Sequence, residues 1–362
     1  MDITIPALLR LGHATHCKRC LTGLPASQVE TDPFKLALAF YCLGSLDLTG
    51  QIGSETTKES DKELWREWIW AQQTSGPSGT GFRPGPYMSV PGEHDNVYAE
   101  TSESAPQLIM TYTALLSLAI LRDDFSRLDR PSLISFLKAC QKEDGSFSVE
   151  PYGGDADLRT MYCAFAISKM LDDWSGVRLD DALGFIASCR TYEGGYGQIP
   201  FAEASGTLSV TGGPTYCALA SVFLADRGNQ LTESEVRQTV RWAILNQEPS
   251  GGFRGRTSKA TDACYSFWCG ASLTILASKA LVPETSVASY ISSCQFKFGG
   301  IAKGPNEHPD PYHTYLSLAA VALYPPSESA GGSSWLLPPL DPLLNATQDT
   351  MKWATEHIRI SN

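Results

Sequence analysis

"CQKEDGSF" (140–147), "CRTYEGGYG" (189–197), "NQEPSGGFRG" (246–255) and "CQFKFGGIAKG" (294–304) are four copies of one pattern. In each, a Gln or Arg is followed six residues later by an aromatic residue or Ile, and Gly-Gly or Gly-Ser stands just before that residue. A looser copy, "QQTSGPSGTGFRPG" (72–85), is stretched by an insertion. The markers Phe147, Tyr196, Phe253 and Ile301 lie 49, 57 and 48 residues apart. A period of that size means stacked supersecondary units.

The residues around each turn say what a unit contains. Before the turns come "RPSLISFLKAC", "LDDALGFIASC", "SEVRQTVRWAIL" and "SVASYISSC". Their apolar residues recur three and four apart, as with Val236, Val240, Ala243 and Ile244, which predicts helices with one buried face. After the turns come "RTMYCAFAISKML", "GPTYCALASVFLA", "DACYSFWCGASLTIL" and "YHTYLSLAAVAL", apolar all round and so expected to be covered on both sides. Each unit reads as an outer helix, a Gly-rich turn and an inner helix, with no competing strand alternation. Five to six such hairpins predict an all-α fold, an α/α barrel around an apolar cavity. The stretches 74–106 and 325–341, rich in Gly, Pro and Ser, read as loop excursions within a single domain, 1–362. The turns would gather the inner-helix N-termini at one end, where free N–H groups and positive dipole ends attract anions.

Composition narrows the function. The hydrophobic share of 43% over 362 residues supplies a large core. A net charge of −11 with scattered basic residues argues against nucleic acid and leaves basic partners open. No apolar run is long enough to span a membrane. The start "MDITIPALLRLGHATHCKRC" lacks a basic lead and a cleavage site, so it reads as mature protein. Ten cysteines without a secretion signal predict reduced thiols in the cytoplasm. Cys140, Cys163, Cys189, Cys217 and Cys294 recur at equivalent places and read as small packing residues. Cys17 and Cys20 form the one CxxC pair.

One stretch has richer chemistry. "GRTSKATDACYSFW" sets Arg256, Lys259, Asp262, Cys264 and Tyr265 at the start of one inner helix, and "HPDPYHTY" sets Asp310 and His313 at the start of the next. Adjacent units would bring Asp262, Cys264 and His313 together, offering oxygen, sulfur and nitrogen to one cation with a fourth position open, as catalytic zinc requires. Asp262 would serve equally as a helix cap and Cys264 as a core residue. Arg256 and Lys259 beside a helix start suit a diphosphate or an ordinary loop. Trp268, Phe267, Tyr162 and Tyr112 suit a core or a lipid tunnel.

These residues, with "FGGIAKGPNEHPDPYHTYLSLAAVAL", "KLALAFYCLGSLDL", "MTYTALLSLAILRDDFSRLD" and "EDGSFSVEPYGGDADLRTMYCA", resemble the β subunits of protein prenyltransferases over nearly the whole chain. The resemblance implies a zinc site on Asp262, Cys264 and His313. It implies diphosphate contacts from Arg256, Lys259 and Tyr265, and an isoprenoid tunnel touched by Arg159, Tyr162 and Trp268. Ala37 stands where farnesyl enzymes carry a bulky Trp. Lys303 stands where magnesium-dependent relatives carry Asp. Both features resemble the type I geranylgeranyl branch and imply that Mg²⁺ is not required. Tyr41 and Tyr312 would wall the peptide site, Tyr312 in the manner of the farnesyl enzymes. Where the family has a His in an "EAHGG"-like loop, this chain reads "EASGTLSVTGG", and Thr211 stands nearest. The implied reaction alkylates the cysteine of a C-terminal CaaX protein, X mostly Leu, of Rho, Rac or Rap type. The implied partner is a helical-repeat α subunit. Farnesyl and Rab-type subunits are the near alternatives and a non-catalytic lipid-binding barrel the distant one. A terpene cyclase would need a DxDD motif, which is absent. A glycosidase would need two facing carboxylates.

Overall fold

The computed structural model describes residues 5–86, 105–151, 153–201 and 211–359. They form two compact units, each assembled from separate segments: Met1–Gly23, Tyr41–Ser54 and Cys189–Gln348 in one, and Leu24–Phe40, Glu55–Ser188 and Asp349–Asn362 in the other. Helix α1 is Arg10–Thr22 and α2 Lys35–Leu48. Then follow α3 (Glu59–Trp70), α4 (Leu108–Ile120), α5 (Arg130–Cys140), α6 (Leu158–Leu171), α7 (Leu179–Ser188), α8 (Gly212–Leu224), α9 (Glu233–Leu245), α10 (Ala263–Ile275), α11 (Glu284–Cys294), α12 (Pro311–Leu323), the short α13 (Glu328–Gly331) and α14 (Gln348–Ile358).

Helices alternate as the repeat predicts. Helix α4 is buried at every position but Ile109, which fits a sequence apolar all round. Helix α9 buries only Thr239, Trp242 and Ala243. Its buried stripe is turned from the predicted one: Val236, Val240 and Ile244 flank the stripe half-buried, because Trp242 carries the larger apolar surface inward. In the first unit α10 packs between α8 and α12, α11 packs on α10 and α12, and α1 packs on α12. In the second unit α4 packs on α6 and α3.

The six-residue spacing has a local cause. Gln141 bridges Phe147, Arg190 bridges Tyr196, Gln247 bridges Phe253 and Gln295 bridges Ile301, each as a single antiparallel β-bridge closing the turn. The backbone here is less purely helical than the sequence suggests. Short antiparallel pairs join Gln73–Gly76 to Gly79–Phe82, Ser148–Glu150 to Gly153–Ala156, Ile301–Ala302 to Pro309–Asp310 and Leu340–Asp341 to Ala346–Thr347. They are too short for alternation to register in the sequence. Part of each expected loop excursion is thus ordered, while 87–104 lies outside the described residues.

The turns are glycine-rich because the next outer helix approaches their backbone. Gly251 (φ +89°) meets the Ser286 carbonyl of α11, and Gly299 (φ +99°) meets the Gly12 carbonyl of α1, so the last turn packs on the first helix of the chain. A Cβ on Gly299 would strike the Gly12 carbonyl and carbon, both backbone atoms that cannot swing aside. We expect Gly299→Ala to cost about 2–4 kcal/mol, from the positive φ together with the overpacking. Urea denaturation checks this; an unchanged midpoint would remove the packing role. The recurrent cysteines Cys140, Cys163, Cys189, Cys217 and Cys294 are all buried, as packing residues should be.

Candidate metal and diphosphate site

Two inner helices of the first unit begin with aspartate, and both starts converge. Asp262 precedes α10 in extended conformation, and its Oδ1 accepts the backbone N–H of Cys264 at 3.0 Å. The following N–H, of Ala263, donates to the carbonyl of Lys303 at 2.8 Å, which ties this helix start to the turn before α12. In that turn Ile301 pairs with Asp310. Asp310 caps α12: its Oδ1 accepts the His313 N–H at 2.9 Å, and Pro311 occupies the position where no N–H is needed.

The side chains complete the cluster. Asp310 Oδ2 holds His313 Nδ1 at 2.6 Å, and the opposite ring nitrogen, Nε2, lies 3.3 Å from Asp262 Oδ1. One ligand atom from each of Asp262, Cys264 and His313 falls within 4.8 Å of the others. Hard, soft and borderline donors thus face one point, and the imidazole is oriented by a second carboxylate, the arrangement usual around metal-bound histidine. The donor set fits a divalent cation of the zinc type.

Burial and neighbouring charge set the protonation of the three donors. Burial would raise the Asp262 carboxyl, but hydrogen bonds from His313 and Cys264 outweigh it and hold the group below its usual range. Burial opposes charge on His313, yet Asp262 and Asp310 prevail and raise it to about 9. Burial, reinforced by Asp262, pushes the Cys264 thiol well above its ordinary value. Near pH 7.5 both His313 and Cys264 therefore carry protons that a metal must displace. Protons compete with metal, so affinity falls as pH falls. We expect log Kd for zinc to change by about two units per pH unit between pH 6.5 and 8.5. Chelator competition measures it; a flat profile would contradict this protonation state. Asp310→Asn should weaken zinc by about 10–100-fold in the same assay, since the amide no longer accepts the Nδ1 proton through a charged oxygen.

A family model, the prenyltransferase alpha-alpha toroid domain, matches residues 8–346. The chain belongs to the prenyltransferase α/α-toroid family. Its fold class is accordingly the all-α, α/α architecture that the repeat predicts. Among relatives of this toroid, the geranylgeranyl transferase type-1 subunit beta of Arabidopsis thaliana is 33% identical over 324 residues, 86% of this chain and 84% of that protein. The subunit of the same name from Dictyostelium discoideum is 36% identical over 320 residues, 84% and 88% of the two chains. Candida albicans protein geranylgeranyltransferase-I complexed with GGPP superposes with a TM-score of 0.83 at 26% identity, covering 97% of this chain and 99% of that one.

Around the prenyltransferase cluster, the other predicted residues fall into two groups. In the first unit Tyr312 neighbours Cys264 and accepts the Trp268 indole N–H at 3.1 Å, and its ring meets Tyr41 edge-on at 5.3 Å. Tyr265 is half-buried, its ring pressed on Gly255 and Gly212, and burial raises its hydroxyl. Arg256 is half-buried in the same turn, and Lys259 and Lys303 are exposed. Thr211 precedes α8, and its carbonyl accepts the Thr215 N–H; most of the "EASGTLSVTGG" loop, 202–210, lies outside the described residues. In the second unit Ala37 is buried on α2, and Tyr162 shares a 3.0 Å hydrogen bond with Tyr112, whose ring faces Phe40 at 6.1 Å. Arg159 is exposed and reaches Asp157, the cap of its own helix, at 2.6 Å.

Two features escape sequence reasoning. Asp310 grips both the backbone and the ring of His313, which the Asp-x-x-His spacing of a capped helix could have signalled. The inner-helix ends are also less open to anions than expected. Asp157, Asp262 and Asp310 already cap α6, α10 and α12, whereas α4 and α8 start without a side-chain cap, so fewer ends are free for an anion than the repeat suggests.

Proposed function

We propose that this chain is the catalytic β subunit of a type I protein geranylgeranyltransferase, carrying a C20 group from geranylgeranyl diphosphate to the cysteine thiol of a CaaX tail ending mostly in Leu. The observation that carries this reading is the convergence of Asp262, Cys264 and His313 at the starts of two adjacent inner helices. The relatives named type-1 geranylgeranyl transferase over most of both chains support the same reading.

Asp262, Cys264 and His313 would hold one Zn²⁺, which supplies a Lewis acid able to keep a substrate thiol ionised near neutral pH. Asp310 fixes the His313 ring so that Nε2 faces the ligand cluster. Arg256, Lys259 and Tyr265 line the turn and helix start on which a diphosphate would rest, and they stabilise charge as it departs. Lys303 adds an ammonium on the residue whose carbonyl receives the first N–H of α10, in place of Mg²⁺. Tyr41 and Tyr312 form the aromatic wall against which the peptide lies. Arg159, Tyr162 and Trp268 contact the isoprenoid, Ala37 leaves room for its end, and Thr211 stands in for the missing loop His.

The partner in this reading is a prenyltransferase α subunit, and the protein substrates are small GTPases of Rho, Rac or Rap type in the cytoplasm. Among the described residues no helix is long and apolar enough to cross a membrane. The deciding experiment co-expresses the chain with an α subunit and measures bound metal and transfer to a Leu-ending peptide from C15 and C20 diphosphates, with and without Mg²⁺. About one zinc per chain, C20 preference and no need for Mg²⁺ are expected. Preference for C15 or strict Mg²⁺ dependence would make it a farnesyl or Rab-type subunit instead. A chain with no zinc and no transfer would be a lipid-binding barrel.

A further inference from the structure

The first unit contains a second sulfur cluster, away from the metal ligands, that the prenyl chemistry does not use. Cys17 and Cys20 lie one turn apart on α1, and Cys42 on α2 is an interacting neighbour of both. Cys17 and Cys42 are fully buried, whereas Cys20 is half-buried and reachable. His16, one turn before Cys20, directs Nε2 at the Cys20 sulfur at 3.9 Å. Arg19, which can only donate, faces His16 Nδ1 at 3.5 Å. That leaves the imidazole proton on Nε2, toward the sulfur. Gly300, in the turn before α12, leaves room for the ring, since a Cβ there would come within 3.1 Å of it. Hydrogen bonds from Cys42 and then His16 lower the Cys20 thiol, while Cys42 retains its proton. A reachable thiol beside cationic and N–H donors, with a second thiol in contact, is the setting of a redox-active pair.

We propose that Cys20 reacts with hydroperoxides and is captured by Cys42, and that the resulting disulfide ties α1 to α2 and slows turnover at the neighbouring metal site. The Cys20 sulfur attacks the outer peroxide oxygen, the O–O bond breaks, and the alcohol or water leaves with a proton. Cys42 then attacks the sulfenic sulfur, its S–H proton leaves with the hydroxyl as water, and the S–S bond forms. Two thiols and one hydroperoxide give one disulfide, one alcohol or water, and one water, the thiols supplying both electrons. The link to the metal site is short. Tyr41, next to Cys42, meets Tyr312 edge-on at 5.3 Å, and Tyr312 meets the His313 ring at 5.0 Å. Gly44, further along α2, is pressed on the Tyr315 ring and leaves no slack for the helix to move without these aromatics.

The test uses the full chain co-expressed with an α subunit, exposed to stoichiometric hydrogen peroxide, quenched with a maleimide and mapped by mass spectrometry. A Cys20–Cys42 disulfide that forms before the other cysteines oxidise is expected. A Cys17–Cys42 bridge, a Cys20 sulfinate without a bridge, or Cys20 oxidising no faster than the buried thiols would overturn the site. The rate readout rests on the transferase reading, whereas the map does not. Transfer should fall at least threefold on oxidation and recover with dithiothreitol. Cys20→Ser should keep its rate under peroxide, which separates this site from oxidation of Cys264. An oxidised, bridged chain with undiminished transfer, or a Cys20→Ser variant that still loses it, would overturn the regulatory role.

Discussion

Cys264→Ser should leave the chain folded, empty it of zinc and lower transfer by more than about 100-fold. The fold survives because the substitution is small and the α10 start depends on the Cys264 backbone N–H, which Asp262 receives whatever the side chain. The metal is lost because a serine hydroxyl is far harder to ionise than a thiol and lacks sulfur's affinity for zinc. Loss of a residue that only orients a ligand costs about 10–100-fold, so loss of a ligand itself should exceed that range. Metal analysis, circular dichroism and single-turnover transfer together read the result. A folded serine variant with full zinc and an undiminished rate would end the metal-site reading.

Ala37→Trp should turn preference from the C20 donor toward the C15 donor by about 30-fold or more. Ala37 is buried on α2 between Leu36, fully buried, and Phe40, so a larger side chain has no solvent to enter and must occupy interior space. In the proposed binding mode that space takes the last five-carbon unit of the longer chain. Excluding half of that unit forfeits about 2 kcal/mol at ~0.8 kcal/mol per CH₂, which is about 30-fold in relative kcat/KM. Ala37→Leu should give a smaller change in the same direction and covers the case in which the indole destabilises the fold. The ratio of kcat/KM for the two diphosphates is the measurement; a folded variant with an unchanged ratio would remove Ala37 from the tunnel.

Much of this protein is written locally. The Gln-to-aromatic spacing is one β-bridge per turn, as at Gln247 and Phe253, so every copy repeats the same short-range geometry. The contrast between α4, buried almost all round, and α9, buried along one stripe, follows from composition alone. The orientation of the α9 stripe was not legible, because Trp242 outweighs the smaller residues and its choice of side depends on the neighbouring helices. Arg159 shows the same limit: its side chain reaches Asp157, the cap of its own helix, at 2.6 Å, a pairing that no spacing rule announces.

By itself the sequence determined the repeat, the alternation of covered and half-covered helices, and the residue types that can bind a cation. It did so because helix periodicity and turn chemistry act over a few residues. Only the tertiary structure decided that Asp262 Oδ1 and His313 Nε2 lie 3.3 Å apart and that the Tyr41 ring meets Tyr312. Those contacts join segments far apart in the chain. They are set by how neighbouring inner helices pack, a property no short stretch of residues contains.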